Sequence, residues 1–437
     1  MLYTAFILTI FIGLINSFKI YYSTSYIKKQ YKLLADHKPS VFPDIFILMP
    51  VLRESKVIKS SLENLSKLKY PKEKLRIIVI TTEREYELVS HGPDTIQIAK
   101  TKIDFLNEKL GRELFLNVHY SHKVGIKSDQ LNYALKVLSE RFPASFKDDT
   151  YIGTYDADSS IQQDVLKLLV ADGSINGWAD AYQQPTLYTN NHPDENFLAG
   201  SFSLLQTSFA FYHENYNFIT QSLLFRRKNP SFFLKKMRYC IGHGLFVKWS
   251  ALKEIGLFPT PIEDTRLGHI FSYLDKEIRI LPSFDIVGTT PKALRRIKQA
   301  SVWFIGEGYF WKDRQIAKNV RPIPFVQSLW LGIYKFYRNA VWMLRGEMFL
   351  VIFFLSLYKI GTAAFLLPFI YLIIPVLVML CGIKDRIKIG RMKILISLLL
   401  SPIEFLFMSL GPLWGFIKTF ILRSENKTFL FPKTERA

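Results

Sequence analysis

The chain has 437 residues, 49% of them hydrophobic and 15% aromatic, which is enough for one or two domains with a substantial core. Its 57 lysines and arginines against 37 aspartates and glutamates give a formal charge of +20, which indicates an anionic partner such as a nucleic acid, a phosphorylated substrate or a membrane surface. Apolar runs at both ends favour the membrane over nucleic acid, and two distant cysteines, Cys240 and Cys381, exclude a zinc site or a disulfide framework.

The N-terminal segment has the pattern of a membrane anchor. Residues 2–18 carry no charge, and the lysines follow them, beginning at Lys19. A secretory signal has the opposite order, with its positive charge before the apolar run. If Lys19 reaches back to the interface, the run is long enough for a bilayer. We therefore predict a transmembrane anchor over residues 1–27 and a cytoplasmic domain after it.

Strand and helix patterns alternate through the first half of the predicted cytoplasmic domain, residues 28–320. We predict strands at 44–50, 75–81 and 114–120 and one that ends at Asp156, with helices at 57–69 and about 127–140. Continuous apolar strands alternating with helices predict an α/β fold with a mainly parallel sheet covered on both faces. Ligands of such sheets bind beyond the carboxyl ends of the strands, where this chain places Arg53, Glu54, Glu83, Asp156 and Asp158.

The pair Asp156 and Asp158 is the strongest chemical signal at these strand ends. Two carboxylates at positions i and i+2 after an extended segment can turn their oxygens toward one hard cation, which in turn can hold a diphosphate. The ordinary alternative is a solvated turn, because short acidic motifs also occur by chance. Together with its neighbours, the pair indicates a nucleotide-sugar site.

The second half is less regular. Residues 173–290 show short strands and helices that we expect to build the acceptor side, and a basic helix runs from Pro291 toward Gly306. Aromatic residues interleaved with Lys335 and Arg338 predict an interfacial helix over 321–346, and an ordinary amphipathic core helix is the equal alternative.

The C-terminal apolar region, residues 347–420, is predicted to cross the membrane. Residues 349–383 contain one charge, Lys359, and are either one span with a tail or two short spans that meet near residues 359–361. Residues 394–417 form a further span that contains Glu404. We prefer three C-terminal membrane crossings over two. The number of crossings decides whether the basic tail over residues 421–437 is cytoplasmic or external.

Five sequence elements occur in the order found in membrane-bound family 2 glycosyltransferases, the group that includes cellulose, hyaluronan and poly-N-acetylglucosamine synthases. They are Met49-Pro-Val-Leu-Arg-Glu54, Gly125-Ile-Lys-Ser-Asp-Gln-Leu-Asn132, Tyr155-Asp-Ala-Asp158, the stretch from Gly242 to Gly256, and Ile262-Glu-Asp264. Each element is weak alone, but the ordered set resembles that family over residues 42–312.

The resemblance implies a GT-A fold, a UDP-sugar donor, Mg²⁺ or Mn²⁺, and inversion at the anomeric carbon. It implies that Asp264, beside Glu263, is the general base and that Asp156 and Asp158 hold the metal. The implied donor-binding residues are Pro50, Arg53, Glu54, Glu83, Lys127, Asp156, Gly242 and Gly244, and the acceptor or gating residues are Gln299 and Trp303. The ordinary alternatives are a helix-capping acid for Asp264, a solvated lysine for Lys127, and a structural role for His243.

The chain departs from the family pattern at two places. Thr81-Thr82-Glu83 stands where many relatives have paired aspartates, which makes uracil recognition less secure. Gln299-Ala-Ser-Val302-Trp303 stands where processive relatives have Gln-x-x-Arg-Trp, and valine cannot hold a diphosphate as arginine does. Arg295 and Arg296 are candidate substitutes for that arginine.

The sequence therefore predicts a metal-dependent, inverting glycosyltransferase in a cytoplasmic membrane, with a lipid-linked or glycan acceptor. A processive polysaccharide synthase coupled to export and a catalytically silent membrane scaffold are the alternatives. A nucleotidyl- or phosphotransferase would share the metal site.

Overall fold

The computed structural model describes residues 2–87, 94–189, 196–227, 230–386 and 389–424. The strands are β1 Ile45–Pro50, β2 Leu75–Thr82, β3 Phe115–Tyr120, β4 Tyr151–Thr154, β5 Ser160–Ile161, β6 Ala181–Gln183, β7 Thr186–Leu187, β8 Leu245–Lys248, β9 Ile278–Ile280 and β10 Asp285–Ile286. The helices are α1 Leu2–Ala35, α2 Ile58–Leu65, α3 Arg84–Glu87, α4 Thr95–Leu110, α5 Lys127–Arg141, α6 Val165–Asn176, α7 Phe197–Phe209, α8 Tyr216–Phe225, α9 Trp249–Glu254, α10 Glu263–Tyr273, α11 Ala293–Gly306, α12 Phe310–Val320, α13 Phe325–Ile360, α14 Leu366–Pro368, α15 Ile374–Ile383, α16 Arg391–Leu399 and α17 Ser401–Ser424.

The main sheet has seven strands in the order β3-β2-β1-β4-β8-β6-β9. Strands β1 to β4 are parallel to one another, and β8 runs antiparallel between β4 and β6. A second, small sheet has the order β5-β10-β7. The prediction of an α/β fold with a mixed, mainly parallel sheet is therefore confirmed.

Helices cover both faces of the main sheet, which explains why its strands are continuously apolar. In β1, Ile47 packs in a core shared with α2, α4 and α6, whereas Leu48 packs in the core on the other face with α5. Because β1, β2 and β4 run parallel, their carboxyl ends lie at one edge of the sheet.

Two helical stretches, Leu2–Ala35 and Phe325–Arg386, are long and apolar enough to cross a membrane. The pair Arg391–Leu399 and Ser401–Thr419, bent by 62°, is a third candidate. Helix α1 continues past the predicted end of the anchor at residue 27. Helix α13 is continuous, so it has no break at the predicted boundary between an interfacial helix and a membrane span at residue 346.

The chain reverses direction at the end of α13. A straight helix would place Phe349 and Tyr371 about 33 Å apart at ~1.5 Å per residue. Their ring centroids are instead 5.4 Å apart, and those of Phe353 and Phe365 are 5.6 Å apart. Gly361, with φ of 58°, ends the helix at the turn. The segments before and after Gly361 therefore pack against each other. The predicted basic tail lies almost entirely outside the described residues.

Candidate active site

The site begins where β4 ends. Strand β4 stops at Thr154, and Asp156 and Asp158 follow it at the sheet edge. The side chain of Asp156 is 20% exposed, and its Oδ1 lies 2.9 Å from Lys127 Nζ. The Oδ2 atom of Asp158 accepts a hydrogen bond from the backbone N–H of Gly288 at 3.2 Å. The two carboxylates of the motif therefore have different neighbours.

Lys127, the first residue of α5, is the centre of the site. Besides contacting Asp156, its ammonium donates to the carbonyl oxygen of Gly242 at 2.8 Å and lies 3.4 Å from Glu263 Oε1. Burial alone would lower the pKa of Lys127, but the charges of Asp156, Glu263 and Asp264 raise it above the ordinary value. Lys127 is thus a fixed positive charge inside the site and not a solvated surface lysine.

Asp264 and the Lys127 ammonium both approach the backbone of Gly242. Helix α10 begins at Glu263, and Asp264 Oδ1 accepts the backbone N–H of Thr265 at 2.6 Å. A Cβ atom added to Gly242 would lie 2.9 Å from Asp264 Oδ2 and 3.0 Å from Lys127 Nζ. The missing side chain at Gly242 is therefore what allows Lys127 and Asp264 to approach the same point. One Asp264 oxygen therefore accepts a backbone N–H in the first turn of α10, and the other faces Gly242.

We call Lys127, Asp156, Glu263 and Asp264 the carboxylate cluster. It contains three acidic side chains and one ammonium. Burial raises the pKa of Glu263, and Lys127 opposes this rise while Asp264 adds to it. Burial likewise raises the pKa of Asp264, against the effects of Lys127 and the Thr265 N–H. The excess of negative charge favours binding of a proton or a cation in this cluster.

A second acidic group lies next to the Asp156–Asp158 motif. His243 Nδ1 is 2.8 Å from Asp285 Oδ2, which also accepts a hydrogen bond from Ser159 Oγ at 3.2 Å. Burial alone would lower the pKa of His243, but the hydrogen bond to Asp285 and its charge raise it. Sequence reasoning judged His243 structural and missed Asp285. Among the described residues, Asp285 Oδ1 is buried with no hydrogen-bond partner.

The acidic residues of the site supply part of the ligand set that a divalent ion needs. The described part of the chain contains no group of three or more His, Cys, Asp or Glu side chains arranged around a common metal position. Mg²⁺ is nevertheless commonly held by one or two carboxylates, substrate phosphates and water. Asp156 and Asp158 fit that pattern, since they supply two hard oxygen ligands and leave the remainder to a bound diphosphate.

The residues predicted to contact the nucleotide lie at the ends of β1 and β2. The backbone N–H of Arg53 donates to Glu85 Oε2 at 2.7 Å, and the backbone N–H of Glu54 donates to Thr95 Oγ1 at 3.0 Å. Thr95 Oγ1 in turn donates to Glu85 Oε1 at 2.6 Å. Glu85, which sequence reasoning missed, therefore holds this loop in place. Arg53 has φ of 55°, and the side chain of Glu54 is buried.

Glu83 follows β2 and pairs with His119, with 3.0 Å between Oε1 and Nε2. Next to it, Arg84 donates to the carbonyl oxygen of Gly125 at 2.5 Å, which joins the end of β2 to the loop before Lys127. Pro50 is the last residue of β1, beside β2. The predicted nucleotide residues thus share one sheet edge with the carboxylate cluster, but they do not line the cavity described next.

A cavity of about 630 Å³ opens from the carboxylate cluster toward the apolar helices. Gly242, Gln299 and Trp303 line it, so the structure brings both predicted acceptor residues to the same space as Asp264. Gly244, with φ of 60°, lies just behind the wall, and its carbonyl oxygen accepts the N–H of Gln184 at 2.7 Å.

Arg296 does not replace the arginine that is absent at Val302. Its guanidinium lies 3.1 and 2.6 Å from the two carboxylate oxygens of Glu404, and both side chains are buried. It also donates to the carbonyl oxygens of Thr290 and Pro291. The pair therefore joins α11, which carries Trp303, to α17.

Glu214 is a further cavity residue that no sequence motif indicated. It lies in a π-helical segment, Ala210–Asn215, where an inserted residue changes the direction of the side chains. The hydroxyl of Tyr239 donates to Glu214 Oε1 at 2.9 Å, whereas Oε2 is buried without a hydrogen-bond partner among the described residues. Burial raises the pKa of Glu214 to about 7.

Helix α10, which positions Asp264, is anchored by a separate set of charges. Arg266 Nε lies 2.6 Å and His269 Nδ1 lies 2.9 Å from the carboxylate oxygens of Asp313 on α12. Lys335 and Arg338 of α13 pair with Glu307 at 3.3 and 2.5 Å. Both cations therefore face the protein interior and not lipid headgroups. We call this set the buried ion network; its members are Arg266, His269, Glu307, Asp313, Lys335 and Arg338.

No family model and no curated protein sequence matches the chain. Among solved structures, it resembles mannosyltransferase PcManGT from Pyrobaculum calidifontis in complex with GDP-Man and Mn²⁺. That match has a TM-score of 0.50 and 13% identity, and it covers 96% of this chain and 99% of the other. A weaker match is residues 1–349 of TarS from S. aureus, at a TM-score of 0.35 and 12% identity, covering 79% of this chain and 93% of that one. The first match shows that almost the whole chain has the fold of a glycosyltransferase.

Proposed function

We propose that the chain is a membrane-associated glycosyltransferase that moves a sugar from a nucleoside-diphosphate sugar to an acceptor hydroxyl with inversion at the anomeric carbon. The observation that carries this proposal is the convergence of Lys127, Asp156, Glu263 and Asp264 at Gly242, where a large cavity begins. The fold supports it, since the similar mannosyltransferase structure contains GDP-Man and Mn²⁺.

The donor diphosphate would bind at Asp156, Asp158 and Lys127. When bound, Mg²⁺ or Mn²⁺ would neutralise charge that develops on the leaving diphosphate. Lys127 supplies a fixed positive charge for the same purpose, because its three acidic neighbours keep it protonated. Pro50, Arg53, Glu54 and Glu83 would contact the nucleoside at the neighbouring strand ends.

Asp264 would act as the general base. A single displacement needs a carboxylate that takes the proton of the acceptor hydroxyl as the new bond forms. Asp264 Oδ2 faces Gly242 in the cavity, and burial raises the pKa of Asp264, which increases its affinity for a proton. Glu263 would tune this proton affinity, and Trp303 and Gln299 would contact the acceptor.

A single addition at each encounter fits this chain better than processive synthesis. Val302 occupies the position of the arginine in processive relatives, and Arg296 is engaged with Glu404. The apolar helices would hold the chain in the cytoplasmic membrane with the catalytic domain on the cytoplasmic side. A silent scaffold would not need the carboxylate cluster, which this chain keeps.

The test is a screen of UDP- and GDP-sugars against the purified chain with membrane extract, reading release of the nucleoside diphosphate. We expect one donor to give release that depends on extract, falls with a chelator and returns with Mn²⁺. The variant Asp158→Asn should lose this release, whereas Asp104→Asn, at an exposed position on α4, should keep it. Absence of release with every donor would refute the proposed reaction.

A further inference from the structure

The cavity walls differ in charge from one part to another. Near β4 and α10 they carry the carboxylate cluster, whereas α1, α13 and the segment before β8 contribute Lys19, Arg345 and Lys236. We call these three residues the cationic wall. All three are half-buried, so each has lost part of the water that would otherwise stabilise its charge.

Lys19 and Lys236 share one aromatic ring. The Nζ atoms of Lys19 and Lys236 lie 5.5 and 6.0 Å from the ring centroid of Tyr216. Lys236 also lies 5.9 Å from the Tyr334 ring and donates to Asn217 Oδ1 at 3.1 Å. These contacts orient two ammonium groups toward the same part of the cavity, but ring contacts replace only a small share of the lost hydration.

Within the described chain, neither lysine has a carboxylate within 4 Å. Burial lowers the pKa of Lys236, and the charge of Lys19 lowers it further. The pKa of His213, which lines the same cavity, lies well below its ordinary value because of burial and four nearby cations. Several cations therefore lie close together here, whereas carboxylates predominate around Asp264.

Arg345 has the same character. It stacks over Phe209 and Phe405 at 4.9 and 5.2 Å from the ring centroids, and no described carboxylate lies within 4 Å of it. Its Nε is buried with no hydrogen-bond partner among the described residues. A buried donor without a partner is energetically unfavourable, so a bound acceptor of hydrogen bonds would stabilise this arrangement.

Apolar residues surround the cationic wall. Ile12, Val341, Phe407 and Met408, from three of the candidate membrane helices, line the same cavity. A ligand that satisfies the whole region thus needs an anionic group with an apolar chain beside it. A free nucleotide or a neutral glycan has no such chain.

We propose that the cationic wall binds the phosphate or diphosphate of a lipid-linked acceptor, whose hydroxyl then reaches Asp264. This inference rests on the proposed function and adds the chemical class of the acceptor. In the transfer step, the acceptor oxygen bonds to the anomeric carbon and the bond from that carbon to the diphosphate oxygen breaks. The hydroxyl proton passes to Asp264, and the nucleoside diphosphate leaves with the electron pair. The lipid phosphate takes no part in bond making and serves as the handle.

Binding of short lipid probes to the full chain in detergent tests the site without requiring turnover. The probes are farnesyl phosphate, farnesol, inorganic phosphate and phosphatidylglycerol, measured by calorimetry. We expect farnesyl phosphate to bind more tightly than each of the others. The double variant Lys19→Gln/Lys236→Gln should weaken the binding of farnesyl phosphate by ~10-fold or more, because two charge contacts are lost.

The matched control is Lys28→Gln/Lys29→Gln, which removes two exposed lysines from α1, the helix that contains Lys19. It should leave farnesyl phosphate binding within about twofold of wild type. Equal binding of farnesol would overturn the role of the phosphate, and equal binding of inorganic phosphate would overturn the role of the lipid chain. Equal binding of phosphatidylglycerol would mean a general phospholipid contact and would also overturn the proposal.

Turnover separates this site from the reaction itself. Lysine-dependent binding of farnesyl phosphate without sugar transfer from any donor would uphold the lipid-phosphate site and refute the proposed reaction. Transfer to extract acceptors with an unchanged acceptor KM in Lys19→Gln/Lys236→Gln would uphold the reaction and refute the site.

Discussion

The carboxylate cluster and the buried ion network contain similar side chains in opposite arrangements. In the buried ion network, every charged group faces an opposite charge within 3.5 Å, and its members are nearly inaccessible to water. In the carboxylate cluster, one ammonium pairs with two of three carboxylates beside a large cavity. The first arrangement holds helices together, whereas the second leaves charge to be satisfied by something that binds.

The pKa values reflect the same difference. Burial alone would raise the pKa of Glu307, but Arg338 and Lys335 hold it well below its ordinary range. Asp264 is half-buried, and its pKa is raised because Lys127 offsets only part of the penalty of burial. Substitutions in the network should therefore change stability, and those in the cluster should change chemistry.

The largest effect on stability is expected for Asp313→Ala. This change leaves Arg266 and His269 buried without their shared carboxylate, and loss of one partner of a buried ion pair costs about 3–5 kcal/mol. We expect a much lower melting temperature or loss of folded protein. Asp148→Ala is the control, because Asp148 pairs with Lys253 at the surface, where such pairs contribute at most about 1 kcal/mol. Equal melting temperatures for the two variants would contradict the division between cluster and network.

After substitution of Asp264, the change Lys127→Met should have the largest effect on the rate of sugar transfer. The change removes the one cation of the cluster and should slow transfer by ~10²–10³-fold, the usual cost of a lost charge-stabilising donor. The folded state should persist, which circular dichroism can verify. Lys123→Met, at an exposed position four residues earlier, should turn over as wild type does. Wild-type turnover in Lys127→Met would remove Lys127 from the site.

Gly242→Ala tests the close approach directly. The added Cβ would lie within 3.0 Å of both Lys127 Nζ and Asp264 Oδ2, so the two groups must separate. Misplacement on this scale should reduce transfer by ~10–100-fold while the melting temperature changes little. Gly390→Ala serves as the control, because nothing lies within 4 Å of a Cβ at that position. A Gly242→Ala enzyme with unchanged kinetics would show that the approach is not needed.

Glu214→Gln should give a smaller effect that depends on pH. The pKa of Glu214 rises from 4.5 to about 7 in the folded chain, so the folded state holds the proton more tightly than the unfolded state. Stability is therefore lost as pH rises from about 4.5 to about 7. Glutamine mimics the protonated form and should raise stability by about 1–3 kcal/mol at pH 8 and hardly at all at pH 4. Melting temperatures at the two pH values measure this, and an equal shift at both would contradict it.

The first half of the fold was predictable because its signals are local. Strands β1 to β4 show as short apolar runs, and the Asp156–Asp158 pair marks the end of β4. The order of the parallel strands then brings the strand ends to one edge. Asp264 was indicated by the family resemblance, and the fold places it beside Lys127.

The remaining contacts of the site were not predictable because the residues that make them are distant in the sequence. His243 and Asp285 are 42 positions apart, and Arg296 and Glu404 are 108 apart. The cationic character of one cavity wall depends equally on packing, since Lys19 and Lys236 meet only when α1 lies beside α8. The turn at Gly361 was not predictable for a related reason. The apolar pattern is the same for one span with a tail and for two short spans.

The central claim is that Asp264 takes a proton at a donor site organised by Lys127. It is tested most directly by Asp264→Asn with the donor that the nucleotide-sugar screen identifies, measuring donor affinity and single-turnover transfer on the same preparation. We predict transfer slower by ~10²–10⁴-fold, the usual contribution of a general base, and donor affinity within about twofold of wild type. Transfer near the wild-type rate would contradict the account.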